Sequence, residues 1–147
     1  MRQFHLGIYG LIEKEEQFLV VRKSRGPYKN LLDLPGGSPQ HGEAPLETLK
    51  RELKEEIGME ATDITWHENL AFIHTYSDFN NALCELYHVA LIYLVNDAHL
   101  LTENLSIINE DVKGSEWIQR SKINEQTASP LLLKALEAYE KNNLLLF

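Results

Sequence analysis

Residues 37 to 59 read GSPQHGEAPLETLKRELKEEIGM, a glycine loop running into an acidic helix, and this run constrains the chain more than any other. Pro45 fits a first helical turn, Glu47 lies near the positive helix start, and Gly58 is placed to stop the helix, so the pattern predicts a helix over Ala44 to Ile57. Leu46, Leu49, Leu53 and Ile57 recur at three- and four-residue steps and predict an apolar stripe that packs on a sheet. At about 100° per residue, Glu52, Glu55 and Glu56 fall in one sector beside that stripe. Carboxylates so close repel one another, and cations relieve the penalty. Upstream, Pro35-Gly36-Gly37 lets the backbone turn its carbonyls inward. Carboxylate and carbonyl oxygens suit hard divalent cations, and a phosphate chain supplies further ligands, so the chemistry points to diphosphate hydrolysis. Glu43 and Arg51 carry opposite charge and are expected to clamp loop to helix as a bidentate pair, holding the Gly37 carbonyl near the metals.

With 147 residues and 44% hydrophobic content, the chain has material for one compact domain, expected over 1–147. The apolar stretch from Leu86 to Val95 is far too short to span a membrane, the start MRQFHLGIYG lacks a signal-peptide layout, and Cys84 is the single cysteine. A cytoplasmic protein without membrane contact is therefore expected. The net charge of −8 argues against stable nucleic-acid binding and leaves an anionic substrate in need of metal mediation.

Around the acidic helix the reading is mixed α and β. Leu6 to Ile12 and Phe18 to Arg22 suggest a hairpin across the polar turn Glu13 to Glu16. Leu31 to Leu34 is a short apolar run, and strand signals resume from Leu70 to Tyr76. Leu83 to Val95 reads as a central strand apolar on both faces. Asn96 to Lys113 reads as an irregular connection, Ser115 to Ile118 as a short strand, and Ser129-Pro130 as the cap and first turn of a final helix reaching about Lys141. The six histidines lack metal-ligand spacing.

The run from Gly37 to Gly58 resembles the Nudix hydrolase signature, G-x5-E-x7-R-E-U-x-E-E-x-G-U with U a bulky aliphatic residue, and Met59 is its one loose fit. The resemblance implies an α+β fold of the α/β/α sandwich kind, with a mixed central sheet flanked by the box helix and a C-terminal helix. It implies hydrolysis of a nucleoside diphosphate linked to another group, by water attacking phosphorus, with magnesium (Mg2+) or manganese (Mn2+) as cofactor. Glu52, Glu55 and Glu56, with a backbone carbonyl of Gly37 or Gly36, would hold the metal, while Arg51 and Glu43 would be structural. The general base is Glu52 in some relatives and lies on a loop before the last strand in others, where this chain offers Glu110, Asp111 and Glu116. Glu52 and Glu56 are assigned to bridging metal, with Glu110 or Asp111 as a further ligand or base. Family members often pair as homodimers.

Outside the box, Arg22 and Lys23 occupy positions where mutator-type triphosphatases carry basic residues near the phosphates, which favours a (deoxy)nucleoside triphosphate as the small-molecule substrate. Ala128 stands where the prototype carries the asparagine that reads guanine, which places 8-oxoguanine recognition in doubt. ADP-ribose-hydrolysing members commonly carry a proline where His74 and Thr75 stand. Tyr76 matches the tyrosine of diadenosine polyphosphate hydrolases, so dinucleoside polyphosphate or capped RNA is the alternative substrate. A nucleotide-sensing module without turnover is the alternative from another class. Such modules usually carry a DNA-binding extension or a degraded box.

Overall fold

The computed structural model describes residues 1–101 and 112–144. Its anchor is helix α1 (Pro45–Ile57), which Gly58 ends in a left-handed conformation, φ 62° and ψ 35°, as a glycine there allows. Leu49, Leu53 and Ile57 are fully buried, but Leu46 is 41% exposed and does not belong to the stripe. In the first turn the buried side chain is Thr48, whose hydroxyl donates to Glu43 Oε1 (2.7 Å).

Two sheets meet beneath α1. The first has the order β5-β1-β7-β6, formed by β5 (Gly36–Gly37), β1 (Arg2–Leu11), β7 (Leu83–Leu100) and β6 (Met59–Ser77). The β1–β7 pairing is parallel, from Arg2↔Glu85 to Leu11↔Leu94, whereas β6 and β7 form a long antiparallel hairpin. In the second sheet β3 (Gln17–Lys23) lies between β4 (Leu32–Asp33) and β8 (Val112–Gln119) and also pairs with β2 (Glu13–Lys14). After a short 3-10 turn (Arg120–Lys122), helix α2 (Pro130–Leu144) closes the opposite side. Leu19 and Val21 pack with α1, while Val20 packs with Leu131, Leu132 and Leu136 of α2, so β3 is buried on both faces. The result is a mixed α+β sandwich with one helix on each side.

Several expectations need correction. The expected hairpin partners lie in different sheets: β1 is buried on both faces from Gly7 to Leu11 and finds its neighbours in β7 and β5, so only β2 turns back on β3. Strand β6 begins at Met59 rather than Leu70, because Glu60, Asp63 and Glu68 interrupt its apolar signal. Strand β7 is central by pairing and extends to Leu100, but its faces differ: Cys84, Leu86 and His88 are buried while Leu83 and Tyr87 are exposed. Residues 102–111, and with them Glu110 and Asp111, lie outside the described residues.

Candidate active site

The Glu43–Arg51 pair forms as the charges predict. Arg51 Nε donates to Glu43 Oε2 (2.8 Å) and Nη2 to Oε1 (3.0 Å), while the Gln40 N–H (3.0 Å) and the Thr48 hydroxyl also reach that carboxylate. The Arg51 hydrogen bonds, then those of Gln40 and Thr48, hold the Glu43 carboxyl down at about 2. Arg51 Nη2 also donates to Ser38 O (3.1 Å), so one guanidinium fastens helix, loop and carboxylate together.

The three helix carboxylates have unlike surroundings. Arg51 Nη1 donates to Glu52 Oε1 (2.8 Å) and Glu55 Oε2 (3.2 Å), and Glu55 is the most exposed of the three. Glu56 is 2% exposed and accepts the Gly36 N–H at 2.7 Å. Burial, opposed chiefly by that N–H and by Lys23, raises its carboxyl to about 8, so without a cation it keeps its proton at neutral pH.

Backbone geometry explains the double glycine. Gly36 pairs with Tyr9, has φ +145°, and a Cβ there would stand 2.1 Å from Ile8 O. A Cβ on Gly37 would stand 2.7 Å from Glu52 Oε1, so the loop backbone lies directly against that carboxylate. A cradle that a methyl group would fill, beside oxygen donors of which one is neutral only through burial, fits a hard divalent cation. Among the described residues no three metal-ligating side chains already converge into a cage. Arg51 bridges Glu52 and Glu55 in that arrangement, so cation binding requires those carboxylates to turn.

These residues line a cavity of about 490 Å3 together with Lys23 and Arg25. A second cavity of about 420 Å3 adjoins it, walled by Phe4, Tyr28, Leu86 and His88, with Gln3 and Asp33 as polar groups. Both cavities share His5, Tyr9, Lys23 and Arg25. Between them runs a hydrogen-bonded chain: Ser38 Oγ to His5 Nδ1 (3.3 Å), His5 Nε2 to Tyr9 Oη (3.2 Å), Tyr9 Oη to His88 Nε2 (2.9 Å), and His88 Nδ1 to Tyr28 Oη (2.8 Å). Burial first, then the neighbouring charges of His5, Lys23 and His74, pushes the His88 imidazole down to about 3. It is therefore neutral, donating through one nitrogen and accepting through the other.

Other expected residues fall outside these cavities. Strand alternation turns Arg22 away from Lys23, and its guanidinium donates to Asn30 O (3.1 Å) and Glu116 Oε1 (3.4 Å). Arg22 and Glu116 thus line neither cavity, whereas Lys23 lines both. Tyr76 is one residue removed, its hydroxyl donating to Gln3 Oε1 at 2.5 Å. Sequence reading passed over Arg25, Asp33, Tyr28 and the His5–His88 pairing. A lone carboxylate in the run Leu31-Leu32-Asp33-Leu34 is the signal that pointed to Asp33.

The fold and the box together define a hydrolase scaffold for phosphate anhydrides, and comparison with known proteins agrees. The NUDIX domain model matches residues 1–139, so the chain belongs to the NUDIX family of pyrophosphohydrolases, which act on small nucleotide substrates and generally use divalent metal ions. It is 29% identical over 122 residues to the nucleoside triphosphatase NudI of Enterobacter sp. (strain 638), covering 78% of this chain and 81% of that one. A shorter match, 37% identical over 54 residues, covers 37% of this chain and 32% of the ADP-ribose pyrophosphatase of Methanocaldococcus jannaschii. In structure it is similar to the MutT protein of Methanosarcina mazei Go1, with a TM-score of 0.68 and 20% identity over 97% of this chain and 96% of that one. No helix among the described residues is long and apolar enough to cross a membrane.

Proposed function

We propose that the protein hydrolyses a (deoxy)nucleoside triphosphate in the presence of magnesium, releasing pyrophosphate. The observation that carries this reading is the junction of the two cavities: the carboxylates of α1 face one, an aromatic-walled space opens beside it, and Lys23 and Arg25 stand where they join. In this reading the triphosphate lies along that junction and the nucleoside occupies the aromatic cavity. Glu52, Glu55 and Glu56 hold the cation with the backbone of Gly36 or Gly37. The bound cation neutralises charge on the phosphate oxygens and makes water a better nucleophile.

The chain's own residues divide the remaining work. Arg51 and Glu43 keep the loop and α1 in register. Lys23 and Arg25 attract and orient the phosphates. Glu56 must give up its proton to accept a cation, which couples metal binding to pH. Of the described candidates for general base, Glu52 lines the cavity of the α1 carboxylates, whereas Glu116 lies outside both cavities. The length of the NudI match supports a triphosphate over the locally matched ADP-ribose pyrophosphatase.

A screen of nucleoside triphosphates, ADP-ribose, diadenosine polyphosphates and nucleotide sugars, with magnesium or manganese and separate detection of phosphate and pyrophosphate, tests the reading. Pyrophosphate from a triphosphate is the expected product. Cleavage confined to ADP-ribose or a dinucleotide would replace the proposed substrate, and binding without any product would favour a sensing module.

A further inference from the structure

We propose that Ser38 is a substrate-binding residue whose hydroxyl donates to a phosphate oxygen in the cavity of the α1 carboxylates, and that Tyr9, His5 and His88 are positioning residues that keep it in the donating sense. This rests on the reading above that phosphate occupies that cavity.

The protons of the chain from Ser38 to Tyr28 can be counted. Tyr9 Oη meets two imidazole nitrogens, His5 Nε2 (3.2 Å) and His88 Nε2 (2.9 Å), but carries a single proton. Its phenol lies over Gly7, where a Cβ would stand 2.2 Å from Oη. Burial and then Lys23 hold the His5 imidazole below its usual range, so it is neutral at neutral pH like His88. Every bond is kept only if Tyr9 donates to one ring and accepts from the other. The two imidazoles therefore carry their protons on opposite nitrogens, and the whole chain runs in one of two senses.

The two senses differ in what they leave at the ends. In the first, Tyr28 Oη donates to His88 Nδ1 (2.8 Å), His88 Nε2 to Tyr9, Tyr9 to His5 Nε2, and His5 Nδ1 to Ser38 Oγ (3.3 Å). The Ser38 proton is then left to give to a ligand. In the reverse sense Ser38 spends its proton on His5, and the Tyr28 hydroxyl proton has no acceptor among the described residues. Tyr28 is 4% exposed, so that proton would be buried unpaired, whereas Ser38 is exposed and is served by solvent when no ligand is bound. The first sense is favoured. Ser38 borders the cavity of the α1 carboxylates and not the aromatic one, and Arg51 Nη2 fixes its backbone by donating to Ser38 O (3.1 Å). Ionised phosphate oxygens only accept, which suits a hydroxyl that cannot turn its proton back to His5.

Long-range proton–nitrogen NMR spectra of the wild type test the sense of the chain. His88 should carry its proton on Nε2 and His5 on Nδ1. The reverse pair, or the same nitrogen protonated in both rings, would overturn the inference. Calorimetry with inorganic pyrophosphate and magnesium tests the contact, since this probe is not consumed and has no base. Ser38→Ala should weaken binding about tenfold, the scale of one hydrogen bond to a charged group, while Ser38→Thr keeps most of the affinity. Tyr9→Phe should lose a similar factor alone and add little in the Ser38→Ala background, because both changes remove the same donor. Undiminished affinity in Ser38→Ala, or losses that multiply in the double variant, would overturn the inference. The spectra and Ser38→Ala leave the buried chain intact, so neither depends on a destabilised protein. Nucleotide turnover with unchanged pyrophosphate affinity in Ser38→Ala would sink this inference alone. The tenfold loss without hydrolysis of any triphosphate would leave it standing and sink the proposed reaction instead.

Discussion

Glu56→Gln should make the metal-free protein more stable at neutral pH while abolishing its turnover. Burial raises the Glu56 carboxyl from 4.5 to about 8, so the folded chain holds this proton more tightly than the unfolded chain does. The associated stability is fully present below pH 4.5 and is lost progressively as pH rises toward 8. At about 1.4 kcal/mol per pH unit, the wild type loses roughly 3 kcal/mol from this group between pH 4.5 and 7. Glutamine cannot ionise, and its side-chain carbonyl can still accept the Gly36 N–H. For a chain of this size, a gap of roughly 3 kcal/mol shifts the melting temperature by about 6–12 °C. Thermal melts after chelation should therefore nearly coincide near pH 5 and separate by several degrees near pH 7.5, with Glu56→Gln the higher. Saturating magnesium should raise the wild type's Tm more than the variant's, because the variant keeps only Glu52 and Glu55 as carboxylate ligands. If the chelated variant melts at or below the wild type near pH 7.5, the assignment of Glu56 as a carboxylate strained by burial is wrong.

Gly36→Ala should lower stability by about 1–3 kcal/mol in denaturant titrations, since its Cβ meets backbone at Ile8 O, where nothing can yield cheaply. Gly37→Ala meets only the end of the Glu52 side chain, so it should melt near the wild type yet lose turnover through displaced carboxylate. Arg51→Lys removes the planar fork that joins Glu43, Glu52 and Ser38 and should cut kcat/KM at least tenfold, as misplacement of a catalytic loop does. His88→Phe strands the buried hydroxyl of Tyr28, while Tyr9 keeps its bond to His5, and should cost about 1–3 kcal/mol, measured by urea unfolding.

Local sequence carried the acidic helix, its glycine stop, the Glu43–Arg51 clamp and the Ser129 cap, because each rests on residues close in the chain or on an obvious charge pair. Leu46 misled, since helical spacing gives a face but not how far the covering sheet extends. Sheet membership was illegible: whether Leu6–Ile12 pairs with Phe18–Arg22 or with Leu83–Val95 depends on contacts far apart in the chain, and β1 chose the latter. Asp33 and His88 were passed over for a related reason. A carboxylate between leucines and an imidazole in a central strand gain meaning only when Ser129, Tyr9 and Tyr28 arrive from distant segments. Arg22 and Lys23 looked equivalent side by side, but strand alternation sent one to solvent and the other to the cavities.

Ser129 joins the last helix to strand β4 twice over, its N–H donating to Leu32 O (2.9 Å) and its hydroxyl to Asp33 Oδ1 (2.7 Å), while the Leu32 N–H donates to Thr127 O (2.9 Å). It starts the last helix and also grips the carboxylate on the cavity wall, so seating that helix and shaping the wall are a single event. Substitutions along the inner face of that helix, at Leu131, Leu132 or Leu136, would accordingly be felt at the cavity wall through Ser129 and Leu32.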